Sequence, residues 1–268
     1  MNGISTLVSG LTFPEGPRWR DGWLYFADFY SRAVLRVDRS GTLEKVVDVP
    51  GQPSGLGWLP NGDLLVVSMT DQKVMRFAAG QLHVHADLAG LVRYHCNDMI
   101  VLSNGRAYVG NFGFDPHGEA PRTTSLVKIE PDGSASIVAE DMAFPNGMAT
   151  LADEHVLVVA ESVSQCLTAF DIGADGRLSG RRVLARTPEC QPDGICIDAE
   201  GNIRVTTMTC NRLVTFAPDG RLLSTRQFDT HLWAVAVDDK GAILLCASDH
   251  YVEADTLAYR SGRILRLD

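Results

Sequence analysis

QPSGLGWLPNGDLLVVSM at residues 52–69 and QPDGICIDAEGNIRVTTM at residues 191–208 have the same length and the same layout. Each opens on a polar residue, then Pro, a short oxygen-bearing side chain and Gly. A hydrophobic strand, a Gly-containing turn and a second hydrophobic strand follow. Four more segments repeat the pattern: FPEGPRWRDG (13–22), HCNDMIVLSNG (95–105), FPNGMATLADE (144–154) and LWAVAVDDKG (232–241). Behind them lie hairpin pairs such as AVLRVDRSGTLEKVVD (33–48) and RLVTFAPDGRLLSTRQF (212–228), whose SG and DG dipeptides suit tight turns. One equivalent position per unit, Glu15, Ser54, Asn97, Asn146, Asp193 and Trp233, gives separations of 39, 43, 49, 47 and 40 residues.

A period near forty residues with four strands in each unit is the size of a propeller blade. The expected architecture is therefore all-β: one six-bladed β-propeller over residues 1–268, with four antiparallel strands per blade. The last unit ends at SGRILRLD (261–268) without an outer strand, and ISTLVSG (4–10) is expected to close it, which removes an exposed sheet edge. A sandwich or irregular β-solenoid would not need six copies in phase. No segment carries a helical period beyond a turn or two; ADLAGLVRY (86–94) comes nearest.

The 268 residues are 45% hydrophobic and 21% charged, enough apolar material for a large core. The 25 glycines and 12 prolines are spread along the whole chain, as many short elements joined by turns require. With 24 basic and 33 acidic residues the formal charge is −9, which argues against nucleic acid or an anionic membrane as partner. MNGISTLVSGLTF lacks the basic start and continuous apolar core of a secretion signal, so a cytoplasmic location is expected. The charge suits a monomer or homodimer. The six cysteines form no CxxC pair, and they are expected to be free, mostly buried thiols.

Equivalent positions in a propeller ring its axis. Four of the six ring members, Glu15, Asn97, Asn146 and Asp193, carry oxygen donors, and two of them are anionic. Such a ring crowds like charges unless a cation sits between them, and oxygen ligands select hard divalent ions: Ca²⁺, Mg²⁺ or Mn²⁺, with Zn²⁺ admissible. Short polar residues also cap turns, so one PNG or PDG alone would carry no weight. A second ring one strand-length on reads Asp28, Ser68, Asn111, Glu161, Thr207 and Ala247. It either orients the first ring and bound water or merely lines a solvated channel. His95, two residues before Asn97, is expected at the same mouth, as a substrate hydrogen-bond partner, a general base or plain surface. Phe112, Phe29, Met69, Met208 and Trp233 are candidate apolar walls. No GxSxG, P-loop or HExxH motif is present.

FPEGPRW (13–19), HCNDM (95–99) with GRAYVGNFGFD (105–115), FPNGM (144–148) and QPDGICID (191–198) occur in an order that resembles the senescence-marker-protein/gluconolactonase (regucalcin-like) family over essentially the whole chain. The resemblance implies a six-bladed propeller with one divalent metal in its channel, and for many members hydrolysis of sugar lactones. It assigns Glu15, Asn146 and Asp193 as metal ligands, Asn97 as ligand or substrate contact, and Asp193 as general base. Asn111, Phe112, His95 and Trp233 complete the expected substrate-binding set. Animal sugar lactonases of the family carry Arg where this chain has His95, so a glucono- or gulonolactone preference does not transfer. The expected activity is metal-dependent opening of a small lactone. The alternatives are a phosphotriester or organofluorophosphate hydrolase on the same metal site, a metal-free lyase or condensing enzyme on the same scaffold, and a non-enzymatic calcium-binding propeller.

Overall fold

The computed structural model describes residues 3–268. They form six four-stranded antiparallel sheets, set around one axis as the blades of a propeller. Blades 1 to 5 follow the chain, with inner strands Pro14–Arg20, Pro53–Trp58, Cys96–Val101, Pro145–Leu151 and Pro192–Ile197. Blade 6 runs from His231–Val237 through Ile243–Ser248 and Gly262–Leu267 to the N-terminal strand Ile4–Leu11. Its closing register runs from Ile4 opposite Leu267 to Leu11 opposite Gly262. The first and last parts of the chain thus zip into one sheet, as the missing outer strand requires.

Each inner strand packs against the inner strands of both neighbouring blades, so the six make a closed ring. Burial falls from axis to rim. The second strand of blade 2, Leu64–Ser68, is buried throughout, whereas the outer strand of blade 5, Leu222–Gln227, is almost wholly exposed. Between blades the inward faces interdigitate: Leu24, Phe26 and Val37 of blade 1 pack on Ala234, Leu244 and Ile264 of blade 6. Burial of such branched side chains contributes about 1.5–3 kcal/mol apiece.

One irregularity recurs near the start of every inner strand. In blade 2 the register passes from Pro53 opposite Ser68 to Leu56 opposite Val66, so Ser54 and Gly55 face one partner residue. Blades 3, 4 and 5 repeat this at Asn97–Asp98, Asn146–Gly147 and Asp193–Gly194. In blade 6 a single extra residue, Trp233, is inserted. In blade 1 the shift follows Glu15 directly. A bulge of this kind twists the strand and re-aims a side chain. It also brings neighbouring backbones close: a Cβ on Gly147 would lie 2.4 Å from the Asp193 carbonyl oxygen, and one on Gly194 would lie 2.5 Å from the Ala234 Cα. The xPxG pattern is the sequence form of this crowding, with Gly where strands touch and a functional residue beside it.

One expectation needs correction. Cys190 and Cys210 are bonded as a disulfide with Cα atoms 5.4 Å apart, while Cys96, Cys166, Cys196 and Cys246 are free. The pair lies 20 residues apart in sequence. It is brought together by the loop into the inner strand of blade 5 and the turn after its second strand, so no local spacing reveals it. Helix is as scarce as expected: residues 86–94, the nearest candidate, are a strand end and turns, and the one α-helix among the described residues is the two-turn Glu253–Tyr259, inserted between strands of blade 6. Its single buried residue, Thr256, gives too little periodicity to detect. No helix among the described residues is long and apolar enough to cross a membrane.

The close approach at the bulges predicts that Gly147→Ala forces the inner strands of blades 4 and 5 apart. The expected cost is ~1–3 kcal/mol, read as a lowered Tm, together with loss of whatever activity depends on Asp193.

Candidate active site

The bulges place the ring residues at one mouth of the channel, nearly buried: Glu15, Asn97, Asn146 and Asp193 keep only 4–6% of their surface. They are linked in blade order. Ser54 Oγ donates to Asn97 Oδ1 (3.4 Å), and Asn97 Nδ2 donates to Asn146 Oδ1 (2.8 Å). Asn146 Nδ2 lies 3.2 Å from Ser162 Oγ, whose hydroxyl donates to the carbonyl of Pro192 (2.7 Å), the residue before Asp193. Asn146 also stands beside the Asp193 carboxylate and draws its pKa down. Glu15 accepts the N–H of Gly16 through Oε2 (2.6 Å). The sixth member, Trp233, departs from the pattern: its indole packs on Phe13 with centroids 4.7 Å apart, and its Nε1 is buried without a partner.

The electrostatics are unfavourable as they stand. Burial, then repulsion from Asp193 and Asp98, pushes the Glu15 carboxyl well above the usual carboxylate range. Burial, then Asp98, does the same to Asp193, against the opposing pull of Asn146. Neither carboxylate belongs to an ion pair among the described residues. Asp98 is a third buried acid that the repeat reading passed over, and burial raises it against the pull of Arg18. Its signal was present in the sequence. Blades 1, 2, 4 and 5 hold Gly16, Gly55, Gly147 and Gly194 at the position after the ring residue, and only the ND pair of blade 3 puts a charge there. Arg18, the nearby cation, spends its guanidinium on the carbonyls of Met99 (2.7 Å) and Pro17 (2.9 Å).

Among the described residues no group of three His, Cys, Asp or Glu side chains stands close enough to hold a metal. The set that could is mixed: two carboxylates and two amide oxygens, drawn from four blades. Its chemistry fits a hard divalent cation, since all donors are oxygen. A cation would also offset two buried charges that otherwise lack a partner.

The second ring differs from its expected place. The antiparallel register sets Asp28 opposite Pro14, Asn111 opposite Cys96, Glu161 opposite Pro145 and Thr207 opposite Pro192, beside the first ring rather than farther along the channel. All six members are at most 2% exposed, so they are not solvated lining. Their polar atoms hold loops. Asp28 accepts from the N–H groups of Thr12 (3.0 Å) and Phe13 (2.7 Å), and Glu161 accepts from the Ala143 N–H (2.7 Å). Asn111 donates to the Ser125 carbonyl (2.7 Å) and accepts from Thr124 Oγ1 (2.6 Å), which commits both of its polar ends within its own blade.

His95 and Phe112 do reach a cavity. About 320 Å³ lies at the strand ends that carry the ring, lined by residues directly beyond them: Phe29 after Asp28, Met69 after Ser68, Phe112 after Asn111 and His95 before Cys96. Burial lowers the His95 pKa against the pull of Asp115, which keeps the imidazole neutral at neutral pH. It stacks on Tyr94 at 4.1 Å. Tyr251, ahead of the short helix, closes the opposite side, and its carbonyl accepts the Tyr30 hydroxyl (3.0 Å).

Fold and site together define a six-bladed propeller with an oxygen-donor centre at its axis beneath a small aromatic cavity. The chain belongs to the SMP-30/gluconolactonase/LRE-like family, whose model, the SMP-30/Gluconolactonase/LRE-like region, matches residues 13–242. It is 24% identical over 255 residues to the 6-deoxy-6-sulfogluconolactonase of Pseudomonas putida, covering 91% of this chain and 86% of that relative. It is 29% identical over 220 residues to regucalcin of Danio rerio, covering 79% and 73%. The solved structure of a gluconolactonase from Xanthomonas campestris superposes with a TM-score of 0.81 at 25% identity, over 98% of this chain and 88% of that one.

A carboxyl whose folded-state pKa lies above its unfolded value binds its proton more tightly in the native state. Native stability therefore falls as pH rises from the unfolded value, about 4, toward the folded one. Asp193→Asn removes one such group without changing shape. In chelator-treated protein at pH 8 it is expected to raise Tm by ~2–4 °C, the shift that about 1 kcal/mol produces in a chain of this size. The advantage should shrink as pH falls toward 4. Thermal melts across that range check it.

Proposed function

We propose that the protein is a metal-dependent hydrolase that opens a small lactone. The observation that carries the reading is the buried centre of Glu15, Asp193, Asn97 and Asn146, two carboxylates without an ion-pair partner and two linked amides, at the strand ends next to a ligand-sized cavity. Family membership supports it, and relatives named as gluconolactonases support the ester class.

Glu15, Asn97, Asn146 and Asp193 would hold the divalent ion, which when bound supplies polarisation of the lactone carbonyl and lowers the pKa of the attacking water. The rest falls to the protein. Asp193, buried beside the place the attacking water would take, accepts the proton from water as the C–O bond forms. The same carboxyl then returns that proton to the departing ring oxygen, leaving a hydroxy acid. Asn146, bonded to Asn97 and to Ser162, whose hydroxyl holds the Pro192 carbonyl, fixes Asn97 directly and Asp193 through the strand that carries it. His95, neutral, offers one N–H donor and one acceptor to the substrate ring. Phe112 and Trp233 shape its apolar side and exclude water.

Asp193→Ala and Asn146→Ala are each expected to lower kcat by about 10²-fold or more, the scale lost with a key polar group at a reacting carbonyl. Chelation should abolish turnover on a panel of γ- and δ-lactones, and one of Ca²⁺, Mg²⁺, Mn²⁺ or Zn²⁺ should restore it. Full turnover in both variants would overturn the mechanism. Paraoxon hydrolysis exceeding that of every lactone would replace the substrate class.

A further inference from the structure

We infer that this site takes flat, apolar lactones, aryl- or alkyl-substituted, in preference to polyhydroxylated or anionic sugar lactones; the inference rests on the lactonase reading and specifies its substrate class. The cavity is a slot between two aromatic walls. On one side Phe13 packs on Phe29 (centroids 5.1 Å apart) and on Trp233 (4.7 Å), and Trp233 meets Tyr251 (6.0 Å). On the other side Tyr94 stacks on His95, and Phe112 packs edge-on to Phe144 at 4.6 Å. Planar ligands gain from offset or edge-on contact with such rings beyond simple burial. At about 320 Å³ the slot is at the small end of ligand sites, suited to one or two fused rings.

The second wall is held in place at a cost. Phe144 has φ +59°, a left-handed conformation unusual for an aromatic residue and further disfavoured before Pro145. Backbone strain of this sort persists only where the surroundings impose it, and it clusters at ligand sites. Here it turns the Phe144 side chain onto Phe112 and Phe114.

The polar inventory points the same way. No lysine or arginine lines the cavity, and its one carboxylate, Glu253, would repel an anion. A sulfonated lactone, such as the one for which the Pseudomonas putida relative is named, would find no cation there. The Tyr30 hydroxyl is spent on the Tyr251 carbonyl. The cavity's remaining neutral side-chain hydrogen-bonding groups are Gln52, Tyr94, His95, His117 and Tyr251, all but Gln52 on aromatic rings, with Trp233 Nε1 and His231 Nδ1 buried and unpartnered behind them. That inventory can meet a lactone's two oxygens. A sugar lactone would bury several hydroxyls against aromatic carbon, and each one left unpaired weakens binding.

The test compares kcat/KM, above the spontaneous rate, for 3,4-dihydrocoumarin, δ-decalactone and D-glucono-δ-lactone on the full chain with the restoring divalent ion. Dihydrocoumarin or decalactone is expected to exceed gluconolactone by about tenfold or more. Gluconolactone turned over as well as or better than both would overturn this inference while leaving the lactonase reading intact. Turnover of none would overturn both. Tyr251→Ser, at an exposed position whose loss the fold should tolerate, is expected to raise KM for dihydrocoumarin about fivefold with a much smaller change in kcat. Phe112→Ser should act likewise from the opposite wall. Unchanged KM in both variants, with Tm at the parent value, would remove the aromatic slot from the account.

Discussion

Six inner strands pass within backbone contact of one another around a single axis, and that closeness governs the molecule. It demands residues without side chains where Gly147 and Gly194 meet the next blade. It also forces a register shift near the start of each strand, because a regular ladder cannot turn so sharply into the crowded centre. The side chains beside those glycines, Asn146 and Asp193, are thereby delivered to the channel mouth. The polar centre follows from how the propeller closes.

Closure has an electrostatic consequence. Gathering Glu15, Asp98 and Asp193 in a space from which water is largely excluded raises all three carboxyls, and Arg18 answers them only in part. The rest of the protein must hold this arrangement against its own repulsion. The branched cores between blades supply much of that hold. Further hold comes from Asp28 and Glu161, whose carboxylates pin the loops entering the inner strands of blades 1 and 4. A site poised in this way gains most from a ligand that supplies positive charge, because that charge offsets the repulsion among the three acids.

The loops above the mouth obey different constraints. They carry the aromatic slot, the strained Phe144 and the short helix ahead of which Tyr251 sits. Cys190–Cys210 ties the loop that leads to Asp193 against the following turn of its own blade. These segments differ in length from unit to unit, and with the outer strands, which run from 6 residues in Leu43–Asp48 to 9 in Leu178–Arg186, they account for the varying spacing of the repeats. Scaffold and recognition surface are thus separable, the first set by repetition and the second by what is inserted between repeats.

What the sequence determined by itself was everything that recurs. Six copies of one pattern specified the blade number, the four-strand unit, the closing role of Ile4–Leu11 and the ring positions from Glu15 to Trp233, because periodic residues in a closed repeat must become equivalent points in space. Only the tertiary structure decided what depends on a single contact across the chain. The Cys190–Cys210 bond, the helix held by one buried residue, the charge of Asp98 among its neighbours and the inward commitment of Asn111 have no periodic signature. Each arises where segments distant in sequence are packed to atomic contact. Whether a side chain there faces a ligand, a loop or another charge is set by packing that no single stretch of residues encodes.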